Sequence, residues 1–202
     1  MTDLADQEEQ ALARSHDITG WLEEAEARIL YRFAVELGTQ GPILEIGSWH
    51  GKSTIVLATA AKNVGSCVVA VDPHEGINYW QDRFGPMDEL GPSLDAFQEN
   101  LNRAGVSDVV EPVVMTSRRA FDELEGRTPF SFIFIDGNHG YSSVRADFEM
   151  WSQRLIVGGV LAFHDSKSKM PGPSQVIAEV KARGDYAYLS LVEQLTSFRK
   201  TR

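Results

Sequence analysis

The 202-residue sequence predicts an α/β fold: a doubly wound, mostly parallel sheet with helices on both faces. Short apolar runs alternate along the chain with stretches of helical periodicity, the rhythm of strand–helix–strand units. The runs show no polar alternation, as expected for strands covered on both sides. The turns after the first five runs collect acidic and polar residues, so one edge of the sheet is chemically marked.

The elements follow in order. Residues 1–17 are polar and acidic and read as disordered or as a peripheral helix. Residues 18–40 form a helical cover, with Ile18, Trp21, Ala25, Ile29, Phe33 and Leu37 at helical spacing and Gly38 and Gly41 ending it. A first strand, PILEI, precedes a turn and a helix from about Lys52 to Lys62. Val68 to Val71 is a second strand. After a long loop Ser93 is expected to cap a helix carrying Leu94, Phe97 and Leu101 on one face. Val109 to Met115 reads as a strand, Arg118 to Leu124 as a short helix, and Phe130 to Ile135 as a strand. The next helix places Val144, Phe148, Trp151 and Leu155 on one face. Gly158 and Gly159 turn the chain into the strand VLAF. A helix from Ser174 to Arg183 leads to two last strand-like segments, YAYLSLV and LTSFR. No repeat or linker divides the chain, so a single domain over residues 1–202 is expected.

Composition narrows the function. Asp and Glu outnumber Lys and Arg by 29 to 19, a net charge of -10, which repels nucleic-acid phosphates and anionic membranes. No apolar stretch is long enough to span a bilayer, and the acidic N-terminus is not a signal peptide. A cytoplasmic protein with neither nucleic-acid nor membrane partners is expected. Cys67, the single cysteine, sits in the run CVVAV and reads as a buried, inert thiol.

Ligands of open parallel sheets bind beyond the carboxyl ends of the strands. Those ends read Glu45-Ile46-Gly47, Asp72-Pro73-His74-Glu75, Thr116-Ser117, Asp136-Gly137-Asn138-His139 and His164-Asp165-Ser166. In the first turn, Trp49 stands where a dinucleotide fingerprint needs its second glycine. Gly51-Lys52-Ser53 is close to a phosphate loop, but Ile46 fills the earlier glycine position and Glu45 opposes phosphate. A nucleotide-binding P-loop enzyme is therefore the weaker alternative. What remains is Glu45-x-Gly47-x-x-x-Gly51, with Ser48 and Ser53 in the same turn.

That turn resembles the first motif of class I methyltransferases, and LEIGSWHGKST, VDPHEG, FIDGNHGYSSVRADFEMW and GGVLAFHD resemble a narrower group. This is the small-molecule O-methyltransferase family that includes macrocin-type sugar methyltransferases and cephalosporin hydroxylase-like proteins. The resemblance covers about Gly20 to Lys200 and implies a Rossmann-like fold binding S-adenosylmethionine. It implies cofactor contacts from Glu45, Gly47, Ser48, Gly51, Ser53, Asp72 (ribose hydroxyls), Ser117 (adenine) and Asp136. It further implies a divalent metal, usually magnesium, on Asp136 and Asp165, and His139 as the base. The chain departs from the pattern at His164, which stands where many relatives have a carboxylate. A histidine nitrogen in the set Asp136, His164 and Asp165 suits zinc, manganese, iron or nickel better than magnesium.

The implied reaction is methyl transfer to a small hydroxylated acceptor; a relative that binds the cofactor without transferring methyl is the second alternative. Residues 74–92, with Tyr79, Trp80, Phe84 and Met87, read as a lid or acceptor pocket, and Ser166 to Pro173 as a second wall. His50 and His74 read as loop histidines. The first helical segment could cover the site or form a homodimer face.

Overall fold

A computed structural model describes residues 4–76, 91–167 and 170–202. The apolar and aromatic positions of the expected lid, Tyr79, Trp80, Phe84 and Met87, lie outside the described residues.

The helices are α1 (Leu4–Ser15), α2 (Glu24–Gly38), α3 (Lys52–Val64), α4 (Leu94–Ala104), α5 (Ser117–Glu123), α6 (Tyr141–Trp151) and α7 (Pro171–Ala182). The strands are β1 (Ile43–Ile46), β2 (Val68–Val71), β3 (Val110–Val113), β4 (Phe130–Ile135), β5 (Leu155–Phe163), β6 (Tyr186–Val192) and β7 (Leu195–Lys200). They form one sheet in the order β3-β2-β1-β4-β5-β7-β6. Strands β1 to β5 pair in parallel, and the β6–β7 hairpin adds antiparallel on β5.

The central strands are buried on both faces because successive residues feed two cores. Ile43, Val68, Ala70, Phe132 and Phe134 pack under α1 to α4, while Leu44, Val69, Ile133 and Ile135 pack under α5 to α7. The strand order reverses between β1 and β4, so the crevice of such sheets opens at the turns after these two strands.

Several expected boundaries move. Ile18 and Trp21 precede α2, and Trp21 is 68% exposed, so the periodicity overran the helix start. Leu155 opens β5 instead of closing α6, and Gly158 and Gly159 lie inside that strand, where pairing with β4 shifts register. Pro171 to Pro173 form the first turn of α7 rather than a loop wall, since proline is preorganised at a helix start. The Ser93 hydroxyl does not cap α4; it contacts His74 Nδ1 at 2.9 Å. Cys67 is exposed, because it lies just outside β2. No helix among the described residues is long and apolar enough to cross a membrane.

Candidate active site

The turn from β1 into α3 runs from Gly47 to Gly51. Gly47 has φ +89°, and a Cβ there would lie 2.2 Å from the Asp136 carbonyl oxygen. Only glycine lets the ends of β1 and β4 approach this closely. Gly51 caps α3 at φ +88°, with the Phe97 ring 3.1 Å from a hypothetical Cβ. Asp72, at the end of β2, fixes the turn. Its Oδ2 accepts the amides of Ser48 and Trp49 at 2.9 Å each, and its Oδ1 accepts that of His74 at 2.7 Å.

Two buried polar atoms of the turn, Ser48 Oγ and Trp49 Nε1, have no hydrogen-bond partner among the described residues. Buried groups in this state are uncommon and mark places where a ligand or water completes the structure. Trp49 adopts φ +41° and stacks on Trp21 at 5.1 Å with the rings 7° apart. Lys52 Nζ donates to the Gly20 carbonyl at 3.3 Å. The lysine of the phosphate-loop alternative therefore ties down the cover segment and does not face into the turn.

The structure places the side chains of two expected cofactor contacts, Glu45 and Ser53, beneath the turn. The Glu45 side chain is fully buried beneath the turn, where Ser53 Oγ and Thr54 Oγ1 donate to its two oxygens at 2.5 Å each. Glu45 and Ser53 brace the first turn of α3 against β1. Burial pushes the Glu45 carboxyl up to about 8, against the pull of the two hydroxyls. Its folded form stays protonated while the unfolded chain ionises near 4.5, so stability falls as pH rises from there to about 8. Glu45→Gln mimics the protonated acid. Chemical denaturation from pH 4.5 to 8.5 is expected to show this variant losing less stability with rising pH than the parent, by a few kcal/mol at most.

Titratable groups collect at the ends of β4 and β5. His139 Nε2 lies 2.6 Å from Asp165 Oδ2 and 4.0 Å from Asp136 Oδ1. Despite this closeness Nε2 is buried and makes no aligned hydrogen bond among the described residues. Gly172 packs behind the loop, since a Cβ there would lie 2.1 Å from the His139 carbonyl oxygen. His164 is 6% exposed and surrounded by acids. Its Nδ1 lies 3.3 Å from both Asp136 Oδ1 and Asp165 Oδ2, and its Nε2 lies 3.1 Å from Glu26 Oε2. Burial disfavours the charged ring, but Asp136, Asp165 and Glu26 together outweigh it, and His164 is pushed up to about 12. Burial also works against a charge on His139, and Asp165 and Asp136 raise it above the ordinary histidine value. Asp165, desolvated but facing two imidazoles, is held well below the carboxylate range.

Both nitrogens of the expected ligand His164 thus face carboxylates, Nδ1 toward Asp136 and Asp165 and Nε2 toward Glu26. The group that converges is Asp136, His139 and Asp165, with one donor atom from each all within 4.8 Å of one another. Two carboxylate oxygens and an unaligned buried nitrogen fit a divalent ion that accepts mixed ligands, such as manganese, iron or zinc.

The Ser117 side chain is likewise engaged within the protein. Its hydroxyl donates to Asp147 Oδ1 and accepts Trp151 Nε1–H at 2.8 Å, so it ties α5 to α6 instead of facing a ligand. The His74 ring is 4% exposed and held by Ser93, as befits a loop histidine. Glu26, which touches the cluster from α2, had no signal in the sequence except its place in a helix of acidic first turn.

A sequence model described as the methyltransferase domain matches residues 44–166, more than half of the chain. The chain belongs to the methyltransferase-domain family. The matched stretch runs from β1 to the end of β5 and holds the glycine turn, Asp72 and the Asp136–His139 and His164–Asp165 pairs of this methyltransferase. Solved structures of similar fold extend the likeness over the whole length. The O-methyltransferase TomG of tomaymycin synthesis from Streptomyces achromogenes, in complex with S-adenosylmethionine, superposes with a TM-score of 0.67 at 18% identity. The alignment covers 100% of this chain and 91% of TomG. An O-methyltransferase from Bacillus cereus with S-adenosylhomocysteine gives a TM-score of 0.66 at 20% identity, over 96% of this chain and 91% of its own. The architecture is accordingly the Rossmann-like methyltransferase fold.

Proposed function

We propose that this methyltransferase uses S-adenosylmethionine to methylate a hydroxyl of a small-molecule acceptor, with His139 as the base. The observation that carries the reading is the contact of the Gly47 turn with the Asp136 backbone, which sets an unpaired ligand-ready turn against an acid–base cluster. The neighbouring structures that hold S-adenosylmethionine or its product support the choice of cofactor.

S-adenosylmethionine supplies an already activated methyl group, so the protein has to bind, aim and remove a proton. Gly47 and Gly51 give the backbone room beside the cofactor. Ser48 Oγ is a buried polar atom of that turn without a partner among the described residues. Asp72, with both oxygens accepting backbone amides, holds the turn in shape and keeps lone pairs for ribose hydroxyls. Asp136 carries its carboxylate beside the same turn. The net charge of -10 suits a cationic cofactor that lacks phosphate. His139, whose ring lies 2.6 Å from Asp165 Oδ2, takes the acceptor's hydroxyl proton in its neutral form.

The unaligned Nε2 of His139 favours a second reading, in which Asp136, His139 and Asp165 hold a divalent ion that lowers the hydroxyl's pKa. The two readings separate experimentally. Titration calorimetry with S-adenosylmethionine is expected to show saturable binding, and its absence at millimolar cofactor would overturn the proposal. With a panel of hydroxylated acceptors, release of S-adenosylhomocysteine that survives chelation assigns the proton to His139 alone; release that chelation abolishes and manganese restores assigns it to the ion.

A further inference from the structure

Glu26 lies on α2, outside the residues matched to the methyltransferase domain. Its neighbours on the buried face of that helix, Ala27, Leu30, Ala34 and Leu37, are apolar. A carboxylate at such a position is costly unless each oxygen is met. Here the side chain is 1% exposed and fully met by three separate parts of the chain. Oε2 accepts the Glu23 amide at 2.8 Å and faces His164 Nε2 at 3.1 Å; Oε1 accepts the Gln194 amide, from the β6–β7 turn, at 2.7 Å.

The line continues toward the reactive edge. The other nitrogen of His164 lies 3.3 Å from Asp165 Oδ2, and that same oxygen lies 2.6 Å from His139 Nε2. Carboxylate and imidazole alternate along Glu26, His164, Asp165 and His139. We propose that Glu26 is a positioning residue for His139: it clamps the His164 ring, which holds the Asp165 carboxylate, which aims the base. This rests on the reading of His139 given above. It assigns the cover helix a part in the chemistry, and it accounts for a histidine at position 164. A carboxylate there would meet Glu26, Asp136 and Asp165 with like charge only, whereas an imidazole offers each side an N–H.

Three donors converge on Glu26. Glutamine keeps the shape but turns one acceptor into an NH₂ group that faces a donor. Aspartate keeps both oxygens but is one methylene too short to reach His164 and Gln194 together. Both variants release the clamp.

The test uses the full chain labelled with ¹⁵N-histidine, whose five histidines are resolved by long-range ¹H–¹⁵N NMR, alongside calorimetry with S-adenosylmethionine. Wild type is expected to show a slowly exchanging His164 Nε2–H. Glu26→Gln should lose that signal and shift the His139 ring signals, with His16 and His74 unmoved and cofactor affinity unchanged. Once an acceptor is in hand, kcat should fall, by less than the about 10²–10⁴-fold expected for loss of the base itself, with KM for the cofactor unchanged. Glu26→Asp is read in parallel, so failure of one variant to fold leaves the other decisive. The proposal is overturned if wild type lacks a protected His164 Nε2–H, or if the variants leave His139 unmoved. Movement of all five histidines with lost cofactor affinity would also overturn it, as the mark of a purely structural role. Failure of wild type to bind the cofactor would sink the functional reading, while the histidine signals would still decide the role of Glu26.

Discussion

Gly47→Ala is expected to abolish cofactor binding and to destabilise the fold. The added methyl would lie 2.2 Å from the Asp136 carbonyl oxygen, 2.6 Å from its carbon and 2.8 Å from Gly137 Cα. These are backbone atoms on a central strand end, so no side chain can swing aside. The left-handed φ of +89° adds strain for any residue with a Cβ. Strained backbone and overpacking each cost about 1–3 kcal/mol, so a loss of about 2–6 kcal/mol is expected by chemical denaturation. Relief requires the β1 turn and the β4 loop to part, and Asp136 rides on that loop. Calorimetry should therefore show no S-adenosylmethionine binding even in the folded fraction. Gly51→Ala is the informative control. Its φ is similarly left-handed, but its Cβ would meet side chains that can give, the Phe97 ring at 3.1 Å and Leu101 at 3.8 Å. It should lose less stability and keep measurable affinity. Equal losses in the two variants would show that backbone strain, not the β1–β4 contact, governs the turn.

The fold was legible because its signal is local. FSFIFI and VVAV are apolar without alternation, and they are the central strands β4 and β2 with the expected bounds. The β6 and β7 segments were equally plain. Errors fell where a neighbour in space overrides the local pattern. Trp21 continues the α2 periodicity but stacks on Trp49, on a segment tied down through Gly20 by Lys52. Leu155 continues the α6 stripe but is drawn into β5 by its pairing with Phe130.

The candidate site was legible only to the level of strand ends. Which residues follow each strand is written in sequence order, so Asp72, Asp136, His139 and Asp165 could be named. Which way a side chain turns is not. Glu45 and Ser53 sit in the right turn, yet they face each other under it because β1 and α3 pack there. Ser117 sits at the right strand end, yet Trp151 and Asp147 claim its hydroxyl from 34 and 30 residues away. Glu26 was out of reach for the same reason, since its partner His164 lies 138 residues along the chain.

His139→Ala is expected to reduce turnover by about 10²–10⁴-fold, the range for removing a positioned general base. Cofactor affinity should stay close to wild type. His139 contacts carboxylates after β4 and β5, whereas the glycine turn is held by Asp72 from the other side of β1. The fold should tolerate the change, because the loop is fixed by its backbone. The Gly140 amide donates to Asn138 Oδ1 at 2.8 Å, and Gly172 packs against the His139 carbonyl. Side-chain removal touches neither contact. The assay is release of S-adenosylhomocysteine with a hydroxylated acceptor, beside calorimetry with S-adenosylmethionine and a thermal melt. Full turnover in the variant would place the base elsewhere in the cluster. Lost turnover that added imidazole restores would mark His139 as the proton acceptor. Lost turnover that only excess manganese restores would mark it as a ligand, because a weakened ion site is refilled by mass action and a missing base is not.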